Sequence, residues 1–227
     1  MRVTPHPSPN HGERRGGARP RLVVLHYTGM DSAAAALAKL CDPVDEVSAH
    51  YVIGTDGTLW QLVDEARRAW HAGAGSWQGQ GDVNSRSIGI ELVNTARHPF
   101  PEPQMRALED LLAGVMARHA IPPAGVIAHS DMAPTRKIDP GPRFDWRRLA
   151  RAGLSVWPAA GGLADPAAFR PAAVAFGYPP EVDDPALLAA FRLRFRPWAT
   201  GPLDATDAGL ATDLARRFGI DRGAATA

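Results

Sequence analysis

One cysteine, Cys41, stands in 227 residues. A single thiol excludes an internal disulfide and any cysteine-rich zinc site. In "LCDP" it reads as a small, semi-buried residue, and no strand-end histidine is paired with it as a cysteine peptidase would need. Charge of one sign is lacking too: 25 Lys and Arg face 24 Asp and Glu, for a formal net charge of +1. That balance gives no electrostatic case for nucleic acid or for an anionic membrane. No run approaches the roughly 18 apolar residues of a transmembrane helix. The opening "MRVTPHPSPNHGERRGGARPR" has no apolar segment of the kind a secretory signal needs. The expectation is therefore a cytoplasmic protein, with the periplasm or cell envelope as the alternative if a leader is missing from this chain. A His-Glu-x-x-His helix is absent, which disfavours a general metallopeptidase. What remains, 45% apolar and 22% charged, is an ordinary globular composition.

Several segments carry clear local signals. "RLVVLHYTG" reads as a buried central strand with His26 at its end. "DSAAAALAKLCD" reads as a helix capped by Asp31 or Ser32. "AHYVIGTDGTLWQLV" reads as two strand-like runs around the turn Thr55-Asp56-Gly57. "SIGIELVN" is a further strand, carrying Glu91. In "PEPQMRALEDLLAGVMARHAI", Met105, Leu108, Leu111, Leu112, Val115 and Met116 recur at helical spacing, and Pro122-Pro123 end the pattern. "AGVIAHS" is a strand ending in His129. Three strand ends thus deliver His26, Glu91 and His129. After Pro158 the texture changes. "PAAGGLADP" reads as a linker, followed by three short amphipathic helices: one around Pro166–Phe176, one built on Leu187, Leu188, Phe191 and Phe195, and one on Leu210, Leu214 and Phe218.

The stretch "AHSDMAPTRKIDPG" sets His129, Lys137 and Asp139 on a proline-laden loop. Two strand-end histidines and a returning aspartate make a three-ligand set with an open fourth position, the form of a catalytic zinc site. Lys137, two residues before Asp139, leans to the same side if the segment is extended. A zinc ion would activate water and polarise a carbonyl. A carboxylate such as Glu91 would move the proton. An ammonium such as Lys137 would steady the oxyanion. That chemistry is amide or ester hydrolysis. Taken singly, each residue has a plainer reading: strand-end histidines are commonly structural, Glu91 could be a salt-bridge residue, Lys137 a solvated loop lysine, and Asp139-Pro140 a turn.

The ordered blocks "SPNHGER", "VVLHYTG", "SAHYVIGTDG", "RAWHAG", "SIGIELVN" and "HSDMAPTRKIDPGPRFDW" resemble the zinc-dependent N-acetylmuramoyl-L-alanine amidases of the amidase-2 family, which is related to the peptidoglycan recognition proteins. The resemblance covers roughly residues 8–157. It implies an α/β fold with a mixed central β-sheet flanked by helices, and Zn²⁺ held by His26, His129 and Asp139. Glu91 and Lys137 fall on its catalytic pair, and Ala49 stands where phage relatives carry a tyrosine. It places Trp70 and His71 along the substrate groove and Asn10 in an N-terminal motif; with Arg136, these form the expected substrate-binding set. His50 is expected to be structural or to support the site.

The tail is similar to the three-helix peptidoglycan-binding module found after some of these amidases. The expected division is a catalytic domain over 1–157 and a separately folded three-helix domain over 163–227. The implied activity is hydrolysis of the amide between (anhydro-)N-acetylmuramic acid and L-alanine in peptidoglycan or muropeptides, by a monomer. The competing class is a peptidoglycan recognition protein that binds without cutting. The filled ligand and catalytic positions argue against it.

Overall fold

The computed structural model describes residues 2–159 and 162–220. Its strands are β1 (Val3–Pro5), β2 (His11–Gly12), β3 (Leu22–Tyr27), β4 (Tyr51–Ile53), β5 (Leu59–Gln61), β6 (Arg68–Ala69), β7 (Ser87–Leu92) and β8 (Val126–Ala128). Its α-helices are α1 (Ala33–Cys41), α2 (Val83–Arg86), α3 (Glu102–His119), α4 (His129–Met132), α5 (Trp146–Arg151), α6 (Phe169–Phe176), α7 (Asp184–Phe195) and α8 (Ala205–Phe218). Six strands form a mixed sheet in the order β1-β5-β4-β7-β3-β8. Within it β4, β7, β3 and β8 run parallel, and β4 and β5 form the antiparallel hairpin. The hairpin turn needs Gly57, whose φ is +85° and whose Cβ position lies 2.8 Å from the Pro103 carbonyl oxygen.

Successive strand residues point to opposite faces. Val23 and Leu25 of β3 join one core with Ile88, Ile90, Leu108, Leu112 and Val115. Leu22 and Val24 join a second core on the other face. Burial on both faces explains why β3 reads as an unbroken apolar run. Helix α3 covers the first face, and Ala120 in the left-handed region closes it ahead of Pro122. Helix α1, capped by the Ser32 hydroxyl, packs with Val52, Val63 and Val93 in a smaller cluster.

The second face is covered by the tail, the segment expected to form a separately folded three-helix domain. Phe169, Phe176, Tyr178, Phe191, Phe195 and Leu214 share one core with Leu22, Val24, Trp77, Ile127 and Met132. Trp77 is fully buried and meets Phe176 and Tyr178 edge-on. Backbone contact is direct: the Gln78 N–H donates to the Gly177 carbonyl at 2.8 Å. The three helices are where the sequence patterns put them. Their apolar faces, however, are spent on the sheet as well as on one another. Of the linker, Gly161 lies outside the described residues, while Gly162 packs its backbone against Gly209 of α8.

Two arginines on α7 fasten this layer. Positions i and i+2 on a helix face different ways. Arg192 binds Asp207 of α8 and the carbonyls of Gly201 and Pro202. Arg194 is fully buried and forms an ion pair with Asp131 of α4. It also donates to the Val126 carbonyl at 3.0 Å and to the Ser155 hydroxyl at 3.2 Å. The Tyr178 hydroxyl donates to the other Asp131 oxygen at 2.6 Å. No described helix is long and apolar enough to cross a membrane.

Candidate metal centre and active-site groove

The C-terminal ends of the parallel strands converge at one edge of the sheet, the usual place for a site in such a sheet. His26 and Glu91 are register partners on β3 and β7. Strand β8 stops at Ala128, one residue earlier than its apolar run suggested, and His129 opens the single turn α4. Asp131 causes this, because its Oδ2 accepts the Ala128 N–H at 2.9 Å and starts the turn. The chain then loops back, and the Ser130 N–H donates to the Asp139 carbonyl at 3.0 Å. That bond brings Asp139 beside the two histidines.

The three side chains meet at one point. His26 Nδ1 and His129 Nδ1 are 2.9 Å apart, and Asp139 Oδ2 lies 2.9 Å from the first and 3.0 Å from the second. All three residues are buried. A tetrahedral ion with ligands at about 2.0–2.1 Å separates its donors by about 3.3 Å, so this triangle is close to closing on one. The tautomer of His129 agrees. Its Nε2 lies 2.9 Å from the Ala72 carbonyl oxygen, which can only accept. Nε2 therefore carries the proton and Nδ1 presents a lone pair. Lone pairs and a carboxylate crowded at 3 Å repel one another until a cation or proton sits among them. The donor set therefore fits a divalent metal.

Around this point lies a groove of about 400 Å³, lined among others by Thr28, Trp70, Glu91, Arg136, Lys137 and Ile138. Glu91 is half-buried, with Oε2 fully covered and without a hydrogen-bond partner among the described residues. Burial pushes its carboxyl up to about 8; the Asp139 charge adds to the rise and Lys137 opposes it. Lys137 and Asp139 do reach the same groove, with Ile138 between them exposed.

The expected substrate-binding residues divide. Trp70 and Arg136 line the groove, and Arg136 also ties down the neighbouring loop by donating to the Ala72 and Ala74 carbonyls. His71 touches the groove but is buried behind His26, with its Nδ1 3.0 Å from His26 Nε2. Burial, then the neighbouring His26 and His50, hold its imidazole well below the usual histidine range. Asn10, expected in the same set, sits apart from these residues. It is buried outside the groove, and its amide donates to the Asp42 and Val47 carbonyls at 2.8 Å each. With both amide protons engaged it braces the segment before Ser48 and has none to offer a ligand. His50 accepts the Gly89 N–H on Nδ1 at 2.9 Å and faces the Arg67 carbonyl with Nε2, a structural placement.

The sequence reading missed the supports: the Ala72 carbonyl, Asn84, Ser87 and Asp131. Asn84 Oδ1 accepts the N–H groups of His71 and Ala72 at 3.0 and 2.8 Å and so fixes the segment behind both imidazoles. One signal was present. Gly89 interrupts an otherwise apolar strand, and such a glycine marks close approach. A Cβ there would lie 2.4 Å from the His71 ring.

The family model described as N-acetylmuramoyl-L-alanine amidase matches residues 16–142. The chain is 35% identical over 237 residues to the N-acetylmuramoyl-L-alanine amidase AmiD of Escherichia coli K12, covering 89% of this chain and 85% of that protein. It is 34% identical over 160 residues to the 1,6-anhydro-N-acetylmuramyl-L-alanine amidase AmpD of Enterobacter cloacae, covering 63% of this chain and 86% of that one. Its structure is similar to that of E. coli AmiD in complex with anhydro-N-acetylmuramic acid-L-Ala-D-gamma-Glu-L-Lys. The TM-score is 0.80 at 33% identity, over 92% of this chain and 98% of the other.

Proposed function

Since the chain belongs to the N-acetylmuramoyl-L-alanine amidase family, we infer that it hydrolyses the amide between N-acetylmuramic acid, including its 1,6-anhydro form, and the L-alanine of a stem peptide. The observation that carries this reading to particular residues is the His26–His129–Asp139 triangle opening on a groove that also holds Glu91 and Lys137.

In this reading Zn²⁺ is held by His26, His129 and Asp139, and when bound it supplies Lewis-acid polarisation of the amide carbonyl and a more acidic water. Glu91 takes the proton of the attacking water. It hands that proton to the alanine nitrogen as the carbon–nitrogen bond breaks. A carboxyl whose affinity for protons is raised by burial is suited to both steps. Lys137 donates to the carbonyl oxygen as negative charge gathers there. Trp70 and Arg136 form part of the groove wall that orients the muropeptide.

The C-terminal helices keep the peptidoglycan-binding role suggested by sequence, now as part of a shared core. An apolar groove between α7 and the chain leading to α8 is walled by Leu188, Leu193 and Leu203 and reaches Ile138 on the catalytic loop. That continuity supports one polymer running from the active site onto the tail. Leu188→Glu should lower binding to intact sacculi and leave the rate on a soluble fragment unchanged.

Mass analysis of defined muropeptides after incubation tests the activity, since it reports the bond cut, the sugar form and the peptide length together. Release of intact stem peptide from the lactyl group is the expected result; cleavage elsewhere, or none by zinc-loaded protein, contradicts it. Glu91→Ala and Lys137→Ala should each retain zinc and lose activity, by about 10²–10⁴-fold for the general base. Activity within a few-fold of wild type would remove that residue from the mechanism.

A further inference from the structure

His26 carries two ring nitrogens, and only an unprotonated Nδ1 can face Asp139 as a metal ligand. A free neutral imidazole exchanges its proton between the two positions. The structure contains a chain of groups that removes the choice, and it starts at a backbone carbonyl. The Val83 carbonyl oxygen, which can only accept, lies 2.6 Å from the Ser87 hydroxyl. The single hydroxyl proton is committed to that bond. Ser87 Oγ can then only accept from His71 Nε2, 3.1 Å away. His71 is buried with no carboxylate among its hydrogen-bond partners in the described residues, and such burial disfavours the charged imidazolium. Its Nε2 therefore holds the proton and its Nδ1 a lone pair. That lone pair faces His26 Nε2 at 3.0 Å, so His26 must carry its proton on Nε2. Nδ1 of His26 is left bare, 2.9 Å from Asp139 Oδ2 and from His129 Nδ1.

We propose that His71 and Ser87 form a positioning relay that locks His26 in its Nε2-protonated tautomer and so presets Nδ1 as the metal-facing lone pair. The surroundings are built for it. Asn84 fixes the His71 backbone through its N–H. Gly89 leaves the space the His71 ring occupies, since a Cβ there would lie 2.4–2.6 Å from three ring atoms. The same dipeptide serves the other imidazole, because the Ala72 carbonyl sets the His129 tautomer. His71 acts through His26; it is a positioning residue and takes no part in bond making. The proposal rests on reading His26 as a metal ligand.

The test compares His71→Asn, His71→Leu and Ser87→Ala with the wild-type chain. Asparagine keeps an acceptor, Oδ1, near the place of Nδ1; leucine has none. Two readouts are taken: equilibrium zinc affinity by competition with a chromophoric chelator, and the protonation of each His26 nitrogen in metal-free protein by long-range ¹H–¹⁵N correlation. Loss of a partner behind a ligating histidine weakens metal binding by about 10–100-fold. His71→Leu should show that loss and a mixture of His26 tautomers. His71→Asn should restore affinity to within a few-fold and the single Nε2-protonated form. Ser87→Ala should fall between them, because His71 is then free to turn its own proton toward His26. The relay is overturned if folded His71→Leu binds zinc like wild type with an unchanged His26 signal, or if His71→Asn loses as much as His71→Leu. Should His71→Leu not fold, Ser87→Ala decides: unchanged affinity and an unchanged His26 tautomer overturn the relay. A wild-type chain that binds no zinc sinks the metal reading instead. The tautomer measurement, which needs no metal, still reports on the relay.

Discussion

The face of the sheet under α3 and the face under the tail bury comparable apolar side chains but communicate differently with the strand ends. Under α3, Leu25, Ile88 and Ile90 meet Leu108, Leu112 and Val115 in an apolar core. Under the tail, Trp77, Phe176 and Phe191 form a similar core, but a polar device runs through it. Arg194 and Tyr178 grip Asp131, and Asp131 caps the turn whose first residue is His129. The first face supports the sheet generically. The second reaches His129, a proposed metal ligand, two residues from its anchor. A region that looks like an appendage in sequence is thus part of what positions the proposed metal site.

Removing the tail is the most severe way to break the comparison. Truncation after Ala159 would bare Leu22, Val24, Trp77, Ile127 and Met132 and leave Asp131 without its arginine. We expect no stably folded, zinc-binding protein, measured by soluble yield and thermal unfolding. This reverses the expectation from sequence that the hydrolytic part stands alone; a truncated chain that unfolds cooperatively and binds zinc would restore it. Next comes Arg194→Met, which strands a buried carboxylate and should cost about 3–5 kcal/mol of stability. It should also weaken zinc binding by about 10-fold through the displaced His129 turn. Leu112→Ala on the opposite face should cost a similar or smaller amount, about 2–5 kcal/mol, yet leave zinc affinity within a few-fold of wild type. Denaturant unfolding with parallel zinc competition checks both, and equal zinc losses in the two variants would erase the distinction drawn between the faces. Tyr178→Phe is the mildest change. It removes one hydrogen bond to Asp131 while Arg194 stays, for about 1–3 kcal/mol and a smaller zinc effect.

The same contrast explains how much could be read beforehand. Strands buried on both faces leave continuous apolar runs, so β3, β7 and β8 were visible, and with them His26, Glu91 and His129 at their ends. Asp139 and Lys137 were legible through the spacing of one loop. The three tail helices were legible from their apolar periodicity, but what that periodicity faces is not written in it. "LLAAFRLRF" shows an amphipathic helix, and Arg194 passes for a surface arginine until Asp131, 63 residues away, closes on it. His71 was placed along the groove by the resemblance carried by "RAWHAG", and it does border the groove, but that short block does not say that its ring turns in behind His26. Gly89 held the clue, since a glycine inside a buried strand asks what lies against it.

The most direct test of the central claim is the zinc content of the purified chain and of His129→Ala, measured by elemental analysis after dialysis against trace zinc. The account predicts one zinc per wild-type chain and almost none in His129→Ala, because two protein ligands are too few to hold the ion. Full zinc occupancy in His129→Ala would contradict it.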